Sequence, residues 1–148
     1  YAQGFAAHQA FGMLSDMSGD DVYWAMSAAG QGAAWDQSVA MLFEGGGDDT
    51  YRAQTLSQGA AAQQSRALLR DVSGDDTYWA SGRNTQGAAG DNSYHFSESD
   101  PVYSLGVLID ERGLDRYTSG LLDGETLLRR NTTAPNGRGV AGIARDLE

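Results

Sequence analysis

Cysteine is absent from this 148-residue chain, so it can contain neither a disulfide framework nor a thiolate metal site. Lysine is absent too. All ten basic residues are arginine, against twenty Asp and Glu, for a formal net charge of -10. An acidic chain with scattered arginines repels phosphate backbones, which argues against a nucleic-acid interface, and it attracts cations instead. No apolar run approaches the roughly 18 residues of a membrane span. A basic segment followed by an apolar one, the mark of a signal peptide, is missing after Tyr1. That opening falls partway through a repeat, as expected of a mature form or a piece of a longer repeat protein. A serine nucleophile elbow, a phosphate loop and a zinc-ligand pattern are missing as well.

What the chain does have is internal periodicity. Gln-Gly occurs at Gln3, Gln31, Gln58 and Gln86, at steps of 28, 27 and 28 residues. Eleven residues after each of the first three stands a leucine: Leu14, Leu42 and Leu69. From that leucine runs a second pattern, with an acid at +2, Gly at +5, Asp at +7 and Tyr at +9. It reads Leu14, Asp16, Gly19, Asp21, Tyr23 in copy one and Leu42, Glu44, Gly47, Asp49, Tyr51 in copy two. Copy three is Leu69, Asp71, Gly74, Asp76, Tyr78, and copy four is Leu108, Asp110, Gly113, Asp115, Tyr117. In copy four Gln86 lies 22 residues before Leu108, which leaves an insertion near residues 92–102.

A unit of 27 or 28 residues is one supersecondary layer that buries its apolar face only by stacking on its neighbours. The leucine, acidic residue and Gly-x-Asp-x-Tyr pieces alternate at period two, which is strand-like. Gly12, Ala40, Ala67 and Gly106 share one slot, as small residues do where backbones pack closely. The expected fold is therefore all-β, a right-handed parallel β-helix of about four coils over residues 1–118, followed by a C-terminal cap and tail over 119–148. The alternative is a strand-plus-helix solenoid, because Ala60 to Leu69 is helical by propensity. The recurring glutamines are expected to form amide ladders along the stack. Beyond Tyr117 the pattern stops. Ser119 to Arg130, with its leucine pairs and terminal arginines, predicts a short capping helix, and Asn131 to Gly139 predicts a loop.

The +2, +6 and +7 slots hold eleven of the twenty acids. Stacked coils would bring equivalent carboxylates to about 5 Å, where each like-charge pair repels by roughly 1–3 kcal/mol. Three arrangements offset this. The acids can cap their own turn amides, pair with Arg52, Arg70 or Arg116, or share a hard divalent cation between coils.

The stretch Gly45-Gly46-Gly47-Asp48-Asp49-Thr50-Tyr51-Arg52 resembles the second part of the repeats-in-toxin nonapeptide, Gly-x-Gly-x-Asp-x-(large apolar)-x. The first glycine is replaced by Met17, Val72 and Glu111 in the other copies, and each unit holds one match where that family's coil holds two. The whole unit also resembles bacterial parallel β-helix repeats of the Gly-x-Asp-x-Tyr type. The resemblance implies calcium held between coils by aspartates, with the tyrosine pointing inward. On that basis Asp21, Asp49, Asp76 and Asp115 are expected as principal ligands. Asp20, Asp48 and Asp75, with the +2 acids Asp16, Glu44, Asp71 and Asp110, are expected as helpers.

The insertion carries Tyr94, His95 and Asp100, residue types suited to acid–base work on a polysaccharide, although loops are rich in such residues in any case. His8 shares its slot with Asp36 and Gln63 and is expected to face solvent. Trp24 and Trp79 follow the tyrosine and are expected to point outward, against sugar rings, a second subunit or a corner of the fold. The reading is a calcium-stabilised structural or adhesive module, extracellular or on the surface of a bacterial or archaeal cell, able to self-associate by end-to-end stacking of coils. The alternative is a carbohydrate-binding or polysaccharide-cleaving module that uses the 92–102 loop.

Overall fold

The computed structural model describes residues 3–27, 29–82, 84–90, 99, 103–129 and 141–147. Copy one contributes β1 (Ala6–Ala7), β2 (Phe11–Ser15) and β3 (Val22–Ala25). Copy two contributes β4 (Ala34–Trp35), β5 (Val39–Phe43) and β6 (Thr50–Ala53). Copy three contributes β7 (Ala61–Ala62), β8 (Arg66–Asp71) and β9 (Thr77–Ala80). Copy four contributes β10 (Ala89–Gly90), β11 (Leu105–Asp110) and β12 (Arg116–Tyr117), and β13 (Thr126–Leu128) and β14 (Ala141–Asp146) follow. The fold is all-β: among the described residues there is no helix, and hence none long and apolar enough to cross a membrane.

Each strand pairs in parallel with its counterpart in the next copy, giving three sheets, one per strand type. The register follows the repeat. Ala6, Ala34, Ala61 and Ala89 align in the first sheet, Leu14, Leu42, Leu69 and Leu108 in the second, and Tyr23, Tyr51, Tyr78 and Tyr117 in the third. The 22-residue gap of copy four leaves this alignment intact, as an insertion between β10 and β11 should. Isoleucine and valine are sparse because the inward positions are filled by columns of Ala, Leu and Tyr instead. Leu42, Leu69 and Leu108 are buried, and the four tyrosine rings stack at centroid distances of 4.6–4.8 Å, within 6° of parallel.

The chain turns between sheets at three corners. At the first, Gln3-Gly4, Gln31-Gly32, Gln58-Gly59 and Gln86-Gly87 all adopt left-handed backbone with φ of 52–77°. That conformation costs a non-glycine residue roughly 1–2 kcal/mol, and hydrogen bonds offset it. Gln31 Nε2 donates to the Tyr23 and Arg52 carbonyls at 2.8 and 3.0 Å, and Gln58 Nε2 donates to those of Tyr51 and Trp79 at 3.1 Å. These glutamines thus bridge copies through backbone oxygens, not through each other. At the second corner, Gln9 Nε2 donates to Gln37 Oε1 at 2.8 Å and Gln37 Nε2 to Gln64 Oε1 at 3.4 Å, so the expected amide ladder forms in that set. The third corner carries the +2 to +7 acids. Its Gly74 has a φ of 154°, and a Cβ there would fall on the Gly47 carbonyl oxygen of the copy beneath. Close stacking of the turns is therefore what demands glycine at +5.

The C-terminal part departs from expectation. Residues 119–129 form turns and β13, not a capping helix. Gly120 and Gly124 take φ of 84° and 69°, which interrupts helical geometry, and only one leucine of each pair turns inward. Leu121 is buried and Leu127 packs on the core, while Leu122 and Leu128 are exposed. β13 pairs antiparallel with β14, and β14 pairs parallel with β11. Gly142, Ala144 and Asp146 thereby occupy the small-residue, leucine and +2 acid slots of a partial fifth copy. The sequence pattern is lost there because alanine replaces the anchoring leucine.

A buried acidic row as candidate metal centre

The three acidic slots have three different fates. The +6 acids Asp20, Asp48 and Asp75 are exposed, and each caps the next copy's turn. Asp20 Oδ1 accepts the Asp48 amide at 3.0 Å, Asp48 Oδ1 the Asp75 amide at 3.0 Å, and Asp75 Oδ1 the Leu114 amide at 3.1 Å. These three lie outside every close grouping of acids among the described residues.

The +7 acids point inward. Asp49 Oδ1 accepts the Asp21 amide at 2.7 Å, Asp76 Oδ1 the Asp49 amide at 2.6 Å, and Asp115 Oδ1 the Asp76 amide at 2.7 Å. That leaves the second oxygen of Asp49, Asp76 and Asp115 buried with no hydrogen-bond partner.

The +2 acids face them across the corner, and the tyrosine column holds two of them, Asp71 and Asp110. Asp71 Oδ2 accepts the Tyr51 hydroxyl at 2.6 Å and the Tyr78 hydroxyl at 3.2 Å. Asp110 Oδ2 accepts the Tyr78 hydroxyl at 2.7 Å, while its Oδ1 is buried and unpartnered. Glu44, one methylene longer, turns instead to the Gly46 amide and leaves its Oε1 buried and unpartnered along with the Tyr23 hydroxyl. The tyrosine is therefore more than an inward apolar filler: its ring packs the core and its hydroxyl orients a carboxylate.

These slots converge into groups whose ligand oxygens lie within 4.8 Å of one another: Asp16–Asp21–Glu44, Glu44–Asp49–Asp71, Asp71–Asp76–Asp110 and Asp115–Asp123–Asp146. Each of the first three combines both acids of one copy with the +2 acid of the next. Glu44 and Asp71 belong to two groups each, so those three are linked into a row. Of the expected ligands, the +2 and +7 acids all fall into these groups. Asp123 and Asp146 were not foreseen. Asp146 carries a faint signal, its spacing from Gly142 matching that of Asp110 from Gly106, and Asp123 carries none.

Two like charges at 4.8 Å repel by about 3 kcal/mol at an effective dielectric of 20. Removal from water adds to this, so Glu44, Asp49, Asp71, Asp76, Asp110 and Asp115 resist ionisation. Burial first, then the Glu44 and Asp71 charges, pushes Asp49 up to about 7. Burial and then the Asp71 charge raise Asp76 to about 9. Burial and then the Asp115 charge raise Asp110 to about 8, and burial lifts Asp115 to about 6. Glu44 and Asp71 are raised by burial as well. Among the described residues no arginine forms an ion pair with the +2 or +7 acids. Arg70 pairs with Glu111 at 2.6 Å, Arg52 lies over the Trp24 ring at 5.7 Å, and among the described residues the ion pairs are His8–Asp36 and Arg70–Glu111. An all-oxygen set of buried, converging carboxylates with spare lone pairs can hold a metal ion.

The remaining candidates lie elsewhere. Tyr94, His95 and Asp100 fall outside the described residues. His8 is exposed, with its Nδ1 2.6 Å from Asp36 Oδ2. Trp24 and Trp79 point outward, 58% and 39% exposed. The chain matches no known protein family, curated protein or solved structure.

Proposed function

We propose that this chain is a right-handed parallel β-helix module with a structural or adhesive role outside the cell or on its surface, stabilised by calcium held between successive coils. The observation that carries the reading is the set of buried carboxylate oxygens, on Glu44, Asp49, Asp76, Asp110 and Asp115, that lack hydrogen-bond partners at the acidic corner. A divalent cation supplies the missing partner and offsets the repulsion at once. Calcium fits best because it takes six to eight oxygens in flexible geometry, whereas magnesium keeps several waters that a buried corner has little room for. With neither Cys nor His in any of the groups, a zinc site lacks its usual donors.

In this reading Asp49, Asp76 and the +2 acids are ligands, tyrosine hydroxyls orient Asp71 and Asp110, and the +6 acids act as turn caps. The unfolded chain has no such site, so binding adds to folding stability. Thermal unfolding followed by circular dichroism, first with chelator and then with millimolar calcium, tests it. The midpoint rises by several degrees with calcium, and the rise disappears in Asp49→Asn/Asp76→Asn. No shift in the parent chain would sink the calcium reading.

Two further expectations follow from the surface. β1, β2 and β3 each end their sheet with one edge unpaired among the described residues, which favours end-to-end stacking of another coil. The exposed Trp24 and Trp79 support polysaccharide binding as the second reading. Titration calorimetry against a polysaccharide panel tests it, with binding lost in Trp24→Ala.

A further inference from the structure

The fourth acidic group is built differently from the others, and the difference concerns how the C-terminal part is attached. In copies one to three, the amide of each +7 aspartate is accepted by the +7 carboxylate of the next copy. Copy four has no successor with a Gly-x-Asp-x-Tyr turn, yet its Asp115 amide is still accepted by an aspartate, Asp123 Oδ1 at 3.1 Å. Asp123 reaches this place from the turn before β13. The +2 slot of the same layer is filled from the other direction, by Asp146 at the end of β14, whose register partner is Asp110. A fifth-copy corner is thus assembled in reverse chain order, its +7 role taken by residue 123 and its +2 role by residue 146.

Asp146 is fixed in that position. Its Oδ2 accepts the Tyr117 hydroxyl at 3.1 Å, and its Oδ1 accepts the Gly124 amide at 3.2 Å. Between these two segments lies the buried Asp115, 9% exposed, whose Oδ2 has no partner. One oxygen from each of Asp115, Asp123 and Asp146 lies within 4.8 Å of the other two. A cation shared by these oxygens would bridge the two segments and pin the last strand pair onto the stack.

We infer that the Asp115–Asp123–Asp146 corner binds a divalent cation that locks the β13–β14 pair onto the fourth repeat. This rests on the calcium reading above and adds a separate consequence: ion binding at this end controls whether the C-terminal strand stays docked. The other groups join consecutive repeats. This one joins the last repeat to segments that lack the Gly-x-Asp-x-Tyr turn.

Hydrogen–deuterium exchange of the whole chain, with chelator and with calcium chloride, tests the lock in the parent and in Asp123→Asn. The asparagine keeps a carbonyl oxygen for the Asp115 amide but loses the charge. In the parent, calcium slows exchange of the 141–147 amides by about tenfold or more. In Asp123→Asn that slowing is lost, while the segments around Glu44–Asp49 and Asp71–Asp76 still gain protection. Native mass spectrometry then counts one calcium fewer, and Asp146→Asn gives the same two results from the opposite segment. If Asp123→Asn and Asp146→Asn keep full calcium-dependent protection of 141–147 and the same ion count, the lock is wrong and the inter-repeat sites stand. If the parent gains no protection anywhere with calcium, the reading beneath it falls as well.

Discussion

Tyr78 joins three parts of the molecule at once. Its ring stacks between those of Tyr51 and Tyr117, and its hydroxyl shares its one proton between Asp110 Oδ2 at 2.7 Å and Asp71 Oδ2 at 3.2 Å. Tyr23 occupies the same slot one end of the stack away, but its buried hydroxyl has no partner because Glu44 has turned to the Gly46 amide. The two positions therefore separate ring from hydroxyl. Tyr78→Phe should cost about 1–3 kcal/mol, since it strips a donor from buried carboxylates, whereas Tyr23→Phe removes an unsatisfied group and should be close to neutral. Urea unfolding of the two variants measures the contrast, and equal losses would contradict the roles assigned to the hydroxyls. At this scale the +2 and +7 acids were legible in the sequence, because the +2 acid shares the period-two parity of the inward leucine and the +7 acid that of the inward tyrosine. Their separation from the +6 acids in burial was not legible. Adjacent residues such as Asp48 and Asp49 look alike on paper and differ only in which side of the backbone they face.

The corner between the second and third sheets shows how an element constrains its sequence. Each turn lies on the one before it, with Gly47, Gly74 and Gly113 stacked so closely that the preceding copy's glycine carbonyl occupies the space a Cβ would need. Gly74→Ala should therefore destabilise by more than about 2 kcal/mol, combining unfavourable backbone geometry with displacement of the turn beneath. A chemical denaturation curve gives the value, and a loss under 1 kcal/mol would show that the turns slide apart easily. The three parallel sheets and their register follow from the Gln-Gly, leucine and tyrosine columns, which recur at a nearly constant step. The C-terminal elements were misjudged for an identifiable reason. Leu121-Leu122 and Leu127-Leu128 resemble a helical apolar face, yet what determines their conformation is the free edge of β14, which β13 covers. β14 itself was hidden by Ala144 in the leucine slot, a substitution tolerated because Leu127 and Leu121 fill the core nearby.

Across the whole molecule the acidic row sets a pH dependence with a definite sign. In the folded, metal-free chain, Asp115, Asp49, Asp110 and Asp76 hold protons up to about 6, 7, 8 and 9. The unfolded chain releases those protons near 4. Folding therefore takes up protons across that window, and stability is highest at the acidic side and is lost as pH rises through the folded values. With chelator present, the unfolding midpoint should fall between pH 5 and 9. Saturating calcium should flatten or reverse the slope, because its ligands must be deprotonated to bind. A midpoint that rises with pH in chelator would mean the row is charged and satisfied without any ion. The tyrosine column has an optical consequence on the same scale. Four phenol rings held 4.6–4.8 Å apart and nearly parallel are close enough for their transition dipoles to couple. Such coupling would contribute to the near-ultraviolet circular dichroism of the folded chain, a signal that should weaken when repeats slip out of register.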